Sequence, residues 1–173
     1  MAATDTAPQG SQTPSSWRDQ AQSPAFVLGV MAAAVGAGAR AWIADASRPL
    51  SWNDTADYLE SADTPLLSLD RLAGQRPILT PLLLSATEQD LVAFVDWQIL
   101  IAALAWGILA GVVARQVDPL WGKCVGAGLV LGLSLMWPVS MWDQQVLTES
   151  TAIAALALFV AGGLWFCSRP GPW

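Results

Sequence analysis

The sequence predicts an all-α, polytopic membrane bundle of about four transmembrane helices, with a long external loop that contains short interfacial helices. Composition is the first reason: 54% of the 173 residues are apolar and only 13% are charged, against about 25% charged in soluble domains. The second reason is the presence of long apolar windows, because a helix needs about 20 residues to cross a hydrocarbon core of about 30 Å. Most of the chain is therefore expected to lie in a lipid bilayer.

Four apolar windows meet this length requirement. They cover about residues 26–44, 93–114, 122–141 and 147–167. The first contains Arg40, which lies close enough to the helix end for a long side chain to reach the interface. The second and fourth each carry one acid near an end, Asp96 and Glu149, and the third has no charge from Cys124 to Met141. Each window is thus compatible with a membrane span.

The segments outside these windows complete the domain organisation. Residues 1–24 are polar, rich in Ser, Thr, Gln and Pro, and contain a single basic residue, Arg18. They lack the features of a secretory signal peptide and are predicted to form a disordered cytoplasmic tail. Residues 25–173 form the transmembrane domain, in which residues 45–92 are the external loop.

The distribution of basic residues favours a cytoplasmic N-terminus. With this orientation the predicted external loop holds three arginines against eight acids, whereas short cytoplasmic segments tend to be enriched in Lys and Arg. The cytoplasmic segments then hold Arg18, Arg115, Lys123 and Arg169. We expect an integral membrane protein with its N-terminus in the cytoplasm.

Residue usage also limits the chemistry. The chain has no histidine, which excludes histidine-based triads and histidine-ligated zinc. Cys124 and Cys167 show no metal-binding or disulfide spacing and are interpreted as buried thiols. No metal site is assigned and no cofactor is certain, although a divalent cation is compatible with the acids. Apart from the lipid bilayer, no partner follows from composition, and no nucleic acid partner is expected.

The external loop carries a first polar cluster at Asp54. A helix that starts here would place residues 54, 57, 58 and 61 on one face, which presents Asp54, Asp57 and the phenol of Tyr58 together. The spacing of the two acids resembles a capping box, and both would favour the positive end of the helix dipole. The alternative is that Asp54 only caps a short interfacial helix.

A second polar cluster precedes a short apolar segment, residues 78–84, that Pro81 interrupts. This segment is too short to cross the membrane, so it lies at the interface or re-enters the membrane among other helices. Arg76 stands directly before it and could bind a phosphate through paired hydrogen bonds. Equally, Arg76 could pair with Asp70 or another nearby acid.

The third polar cluster lies around the start of the fourth window. Asp143 falls in a short external turn and Glu149 about one turn into the helix. An acid at this depth is costly unless it is paired or lines a wet cavity, so Glu149 is a candidate site residue. The alternative is that Glu149 accepts hydrogen bonds from the first-turn amides of its own helix.

The order of these clusters resembles the N-terminal region of polytopic GT-C glycosyltransferases and their uncharacterised bacterial relatives. The resemblance covers about residues 26–167. The residues that carry it are Arg40; Asp54 with Tyr58-Leu59; Asp70, Ala73-Gly74 and Arg76-Pro77; and Trp142-Asp143, Leu147 and Glu149-Ser150. Each motif alone is weak, and their order between matching helices gives the combination its specificity.

The resemblance implies an enzyme of the bacterial inner membrane that transfers a sugar from a polyprenyl-phosphate carrier on the extracytoplasmic side. The essential acid of the first external loop would correspond to Asp54, which would act as general base on the acceptor hydroxyl. Tyr58, Arg76, Asp143 and Glu149 would bind substrate. Among these, Arg76 would hold the carrier phosphate, while Asp143 and Glu149 could bind the acceptor or a divalent cation.

Two departures from the family pattern keep a second class of function open. Ile78-Leu79-Thr80 precedes Pro81, where relatives tend to have a second proline and an aromatic residue. Members of the superfamily also have many more than four helices, so the chain is expected to be incomplete alone and to need a partner membrane chain. The alternative function is a non-catalytic subunit of a larger membrane complex. An ion or proton path through Asp96, Glu149 and Arg40 is a third option.

Overall fold

The fold is all-α, as the sequence predicts. The computed structural model describes residues 23–44, 54–65, 68, 78–146 and 148–168, and these residues contain no β-strand. Seven α-helices and one 3₁₀ turn follow one another in this part of the chain. They are α1 (Pro24–Ala44), α2 (Thr55–Asp63), α3 (Leu79–Ala86), α4 (Leu91–Gln116), α5 (Leu120–Ser134), α6 (Trp137–Ser140), the 3₁₀ turn (Met141–Gln144) and α7 (Glu149–Cys167).

Within the described residues, three helices are long and apolar enough to cross a membrane. These are α1, α4 and α7, and a fourth span results if α5 and the segment Trp137–Gln144 are counted together. The two parts of that fourth span are bent by 58° relative to each other. The protein is therefore membrane-embedded, and the predicted third span, residues 122–141, is broken rather than continuous.

The long helices alternate in direction around α4. Its span is 56% buried, compared with 17% for α1 and 28% for α7, so α4 is the central helix. The end of α1, the start of α4, the end of α5 and the start of α7 lie together, and we call this the loop end of the bundle. The opposite end, which we call the Arg115 end, is linked by a 3.5 Å hydrogen bond from the Gln116 side chain to the Leu164 carbonyl oxygen.

Glycines allow α1 and α4 to touch backbone to backbone. A Cβ atom at Gly107 would lie 2.6 Å from the Ala33 Cβ and 2.9 Å from the Gly29 carbonyl oxygen, and one at Gly29 would lie 3.1 Å from the Gly111 Cα. Small residues are favoured at such crossings because van der Waals packing replaces the hydrophobic effect in lipid. Gly107 and Gly111, four residues apart, thus form the face of α4 that meets α1, whereas no atom of another described helix lies within 4 Å of a Cβ built at Gly128 or Gly132.

Alanines fill the remaining contacts of α4. A stripe at every third or fourth residue of α7 packs against Ala105 and Leu109 of α4, and the three residues of this stripe are Ala154, Ala157 and Ala161. On another side of α4, Ala110 and Ala114 contact Ala32 of α1 and Ala127 of α5. Small side chains on both partners bring the helix axes close, which is the usual packing within lipid.

The loop helices α2 and α3 cover the start of α4. Tyr58 and Ala62 of α2 pack with Leu84 of α3, Phe94 of α4 and Val146, all nearly free of solvent contact. The α3–α4 turn is tied to α2 by a 2.5 Å hydrogen bond from the Gln89 side chain to Asp63. Asp90 then caps α4 through the Val92 and Ala93 amides, as an N-cap acid usually does. The predicted short helices of the external loop are therefore present.

Two sequence-based interpretations differ from the structure. Cys124 and Cys167 are exposed on the protein surface rather than buried, because both project away from the neighbouring helices of this chain. The sequence analysis expected the Arg40 side chain to reach the membrane interface, but this residue is only 1% exposed. Its partner, described below, explains the difference.

Candidate functional site: the polar cluster at the loop end

A buried ion pair lies at the loop end of the bundle. The guanidinium of Arg40, on α1, pairs with the carboxylate of Asp143, in the 3₁₀ turn. Both residues are 1% exposed. Two opposite charges removed from water are tolerated only when they pair closely and find further hydrogen bonds, and both of them do.

Asp143 and Arg40 each have a second partner. The Ser150 hydroxyl, on the first turn of α7, donates to Asp143 Oδ1 over 2.5 Å, and Arg40 Nη2 donates to the Ser134 carbonyl oxygen over 2.6 Å. We call Arg40, Ser134, Asp143 and Ser150 the polar cluster. It joins α1, α5, the 3₁₀ turn and α7 through their polar groups.

Pro138 explains why the Ser134 carbonyl is available to Arg40. In a continuous helix this oxygen would accept a hydrogen bond from the amide of residue 138, but proline has no N–H. Helix α5 therefore ends at Ser134, and the chain turns into α6 and the 3₁₀ turn. Within a membrane, a carbonyl oxygen that has lost its helical hydrogen-bond donor needs another donor. The Arg40 guanidinium supplies it.

The broken span carries buried polar residues inward. The side chain of Gln144 donates to the Ile43 carbonyl oxygen at the end of α1 over 2.9 Å. Gln145 is 1% exposed, and its side-chain carbonyl oxygen has no hydrogen-bond partner among the described residues. The predicted external turn around Asp143 is therefore folded into the bundle rather than exposed on its surface.

Tyr58 connects the loop to the start of α7. Its ring is buried between α3 and α4, and its hydroxyl lies 3.4 Å from the hydroxyl of Thr148. Thr148 directly precedes Glu149 in the chain. The loop helix that carries the first predicted polar cluster is thus held against the segment that carries the third.

Asp54 lies at the N-terminus of α2, one turn before Tyr58. It is exposed, and its carboxylate makes no capping hydrogen bond, so the capping interpretation has no support from the geometry. Its backbone carbonyl oxygen accepts from the Tyr58 amide over 3.2 Å. The acid therefore stands at the accessible edge of the loop helix, while Tyr58 is held in the core.

Glu149 is the first residue of α7 and is half-buried. One of its carboxylate oxygens is buried without a hydrogen-bond partner among the described residues. Such an atom is costly in a membrane protein unless water or a ligand reaches it. Among the predicted site residues that the structure describes, only Glu149 has a buried side-chain oxygen without a hydrogen-bond partner.

The predicted site residues divide into three groups. The structure brings Tyr58 next to the segment with Glu149, and Asp54 lies at the same end of the bundle. Asp143 is engaged by Arg40 and Ser150 rather than directed to an open cavity. Arg76 lies outside the described residues. Among the described residues, no group of three or more His, Cys, Asp and Glu side chains could hold a metal ion.

Sequence reasoning missed the partners that complete the polar cluster. Ser134 has no motif of its own, and Ser150 stands in the Glu149-Ser150 motif, which does not indicate its contact with Asp143. Arg40 did have a signal, because alternating helices place it at the same end as Asp143, and charges within a membrane pair with one another.

Comparison of the chain with protein-family models, with curated proteins and with solved structures finds no match.

Proposed function

We propose that this chain is a glycosyltransferase-like protein of the bacterial inner membrane, which transfers a sugar from a polyprenyl-phosphate carrier on the extracytoplasmic side. One observation carries the proposal: the Tyr58 hydroxyl lies 3.4 Å from the Thr148 hydroxyl. This contact holds α2, with Asp54 at its exposed N-terminus, against the start of α7, where Glu149 has an unused buried oxygen. Two acids from distant parts of the chain therefore belong to one end of the bundle.

In the proposed reaction, Asp54 is the general base. Its carboxylate takes the proton of an acceptor hydroxyl while the acceptor oxygen forms a bond to the anomeric carbon of the sugar. The bond from that carbon to the carrier phosphate breaks, and the phosphate leaves with the electron pair. Glu149 would orient the acceptor, and Arg76 would stabilise the charge that grows on the phosphate. A partner membrane chain would supply the remaining helices of the carrier site.

The proposal is tested with Asp54→Asn, which keeps the size of the side chain and removes its basicity. Sugar transfer from a polyprenyl-phosphate donor should fall by at least about 100-fold, the lower end of what a general base contributes. The assay uses native-host membranes in which the variant replaces the original chain, so that any partner is present. Glu60→Gln is the matched control, because Glu60 is another exposed acid of α2, and it should leave transfer unchanged. Full transfer by Asp54→Asn would refute the assignment of the base.

A second candidate, a non-catalytic membrane subunit, is favoured by the ion pair. Arg40 and Asp143 pair with each other inside the bundle, as expected of charges that hold a scaffold together rather than bind substrate. Membranes that lack the chain lose sugar transfer if the first function is correct, and also if the chain is a subunit that assembles the true enzyme. Asp54→Asn then separates these cases, because a scaffold does not need the carboxylate.

A further inference from the structure

An apolar groove lies at the Arg115 end of the bundle, away from the polar cluster. It has a volume of about 510 Å³, within the range of about 300–1,000 Å³ that small-molecule sites occupy. Its floor is the close crossing of α1 and α4 at Gly29, Gly107 and Gly111. Its walls are half-exposed apolar side chains, namely Phe26 and Val30 on α1 and Leu104 and Ile108 on α4.

The polar groups of the groove are gathered at one end. Arg115 in the last turn of α4 and Lys123 in the first turn of α5 both line it. The Arg115 guanidinium stacks over the Trp165 ring at 4.4 Å and pairs with no carboxylate within the described part of the chain. Lys123 is 2.8 Å from Asp118, whose side chain is 89% exposed. One positive charge therefore remains uncompensated, beside the positive dipole end of α5.

The length of the groove matches one leaflet of a bilayer. From Leu104 to Arg115 it follows α4 for about 17 Å, at 1.5 Å per residue, and half of a hydrocarbon core is about 15 Å. Its cations lie where α4 ends, at the depth of lipid head groups. An occupant that fits has an aliphatic tail about as long as one leaflet and an anionic group at its end.

We propose that this groove binds an anionic phospholipid, with one acyl chain along the Gly29–Gly107–Gly111 floor and the head-group phosphate on Arg115 and Lys123. Guanidinium donates paired hydrogen bonds to phosphate oxygens. A zwitterionic phospholipid fits the apolar part equally well, but its ammonium group opposes the uncompensated charge. The site is independent of the proposed sugar transfer, which is assigned to the other end of the bundle.

Native mass spectrometry of the full chain in mild detergent tests the proposal. Phosphatidylglycerol and phosphatidylcholine with the same acyl chains are added at equal concentration. The amount of each lipid that stays bound to the protein is then measured. The protein should retain phosphatidylglycerol about fivefold more than phosphatidylcholine, as expected for one basic residue near a lipid head group. Equal retention of the two lipids would overturn the proposal.

Variants distinguish the contribution of the positive charge to lipid binding from that of the apolar groove. Arg115→Gln should bring the ratio of the two lipids to about one, and Arg115→Lys should keep it above one. If Arg115→Gln does not fold, Lys123→Gln should reduce the ratio in its place. Ile108→Trp fills the groove and should abolish retention of both lipids, whereas Leu156→Trp, at a 61% exposed position of α7, should not. A ratio that none of the charge variants changes would refute the head-group assignment.

Two further outcomes would also overturn the proposal. Inorganic phosphate added at the concentration of the lipid should not displace phosphatidylglycerol, because the acyl chain supplies much of the binding. Equal competition by inorganic phosphate would mean that the groove binds a free anion. Cross-linking of a cysteine at Val30 to a second copy, or to the chain's own residues 1–22, would mean that protein covers the groove.

Discussion

Arg40 and Asp143 form an ion pair that connects the first membrane helix to a turn 103 residues later in the chain. The pair is closed to solvent, and its two charges are further satisfied by the Ser134 carbonyl and the Ser150 hydroxyl. It fixes how α1, the broken span and α7 meet. The loop end of the bundle, where both candidate acids lie, is organised around it.

Removal of one charge of the pair should destabilise the protein strongly. Arg40→Gln leaves Asp143 buried without a counter-charge, and such changes cost about 3–5 kcal/mol. The double variant Arg40→Gln/Asp143→Asn should recover most of this loss, because no net charge is then buried. The free energy of unfolding of each variant is measured by titration with SDS. The pair of Lys123 with Asp118, whose carboxylate is 89% exposed, is the control: Lys123→Gln should cost less than about 1 kcal/mol. If Arg40→Gln also lowered the free energy of unfolding by less than about 1 kcal/mol, a buried Arg40–Asp143 ion pair would be contradicted.

A backbone N–H introduced at residue 138 should weaken the contact between the broken span and Arg40. In Pro138→Ala the new N–H competes with Arg40 for the Ser134 carbonyl, and a lost hydrogen bond to a charged group is worth about 1.5–3 kcal/mol. A cysteine at Val146, which is fully buried, should then react with a thiol reagent at least about tenfold faster. The experiment uses a Cys124→Ala/Cys167→Ala background. Pro24→Ala, at the first position of α1, should leave the rate unchanged.

The contact between α1 and α4 should tolerate no added methyl group at Gly107. Gly107→Ala places a Cβ in collision with Ala33 and the Gly29 carbonyl oxygen, and overpacking of this kind costs about 1–3 kcal/mol. Gly128→Ala is the matched control, because no atom lies within 4 Å of its new Cβ. Unfolding in SDS should show a lower midpoint for the first variant and an unchanged or higher midpoint for the second. Equal midpoints would be inconsistent with a close crossing.

The hydroxyl contact of Tyr58 should hold the loop helix in place. Tyr58→Phe keeps the buried ring and removes the hydrogen bond to Thr148, with an expected cost of about 0.5–1.5 kcal/mol. Hydrogen exchange of the α2 amides, followed by mass spectrometry, should become faster, while exchange in α7 beyond Ala154 stays the same. Thr148→Ala should have the same effect on α2. If neither variant changes exchange in α2, the contact does not anchor the loop.

The orientation of the bundle can be measured with single cysteines. In the Cys124→Ala/Cys167→Ala background, Thr64→Cys, just after α2, should react with an impermeant thiol reagent added outside intact cells. Asp118→Cys, between α4 and α5, should react only after the membrane is broken, because the two positions lie at opposite ends of the bundle. The reverse pattern would show that the N-terminus is external, and would move the proposed sugar transfer to the cytoplasmic side.

The sequence predicted those features that depend on local pattern. Apolar windows located α1, α4 and α7, because the signal for a membrane span repeats along one segment. The bend after Ser134 was missed because the window is apolar throughout, and one proline decides whether the helix continues. The burial of Arg40 was missed because it depends on a partner in another helix. The other groups of the polar cluster are the Ser134 carbonyl and the Ser150 hydroxyl, whose contacts have no sequence signature.

The interruption of the span at Pro138 has a consequence for the biogenesis of the protein. Arg40 is synthesised long before Ser134 and Asp143, so the ribosome delivers α1 to the membrane with a guanidinium that has no acceptor and no counter-charge. An arginine within a helix lowers the tendency of that helix to leave the insertion machinery for lipid. The groups that make burial of this guanidinium favourable are therefore supplied by the second half of the chain, so a nascent chain that ends before Ser134 holds Arg40 without its partners of the folded bundle.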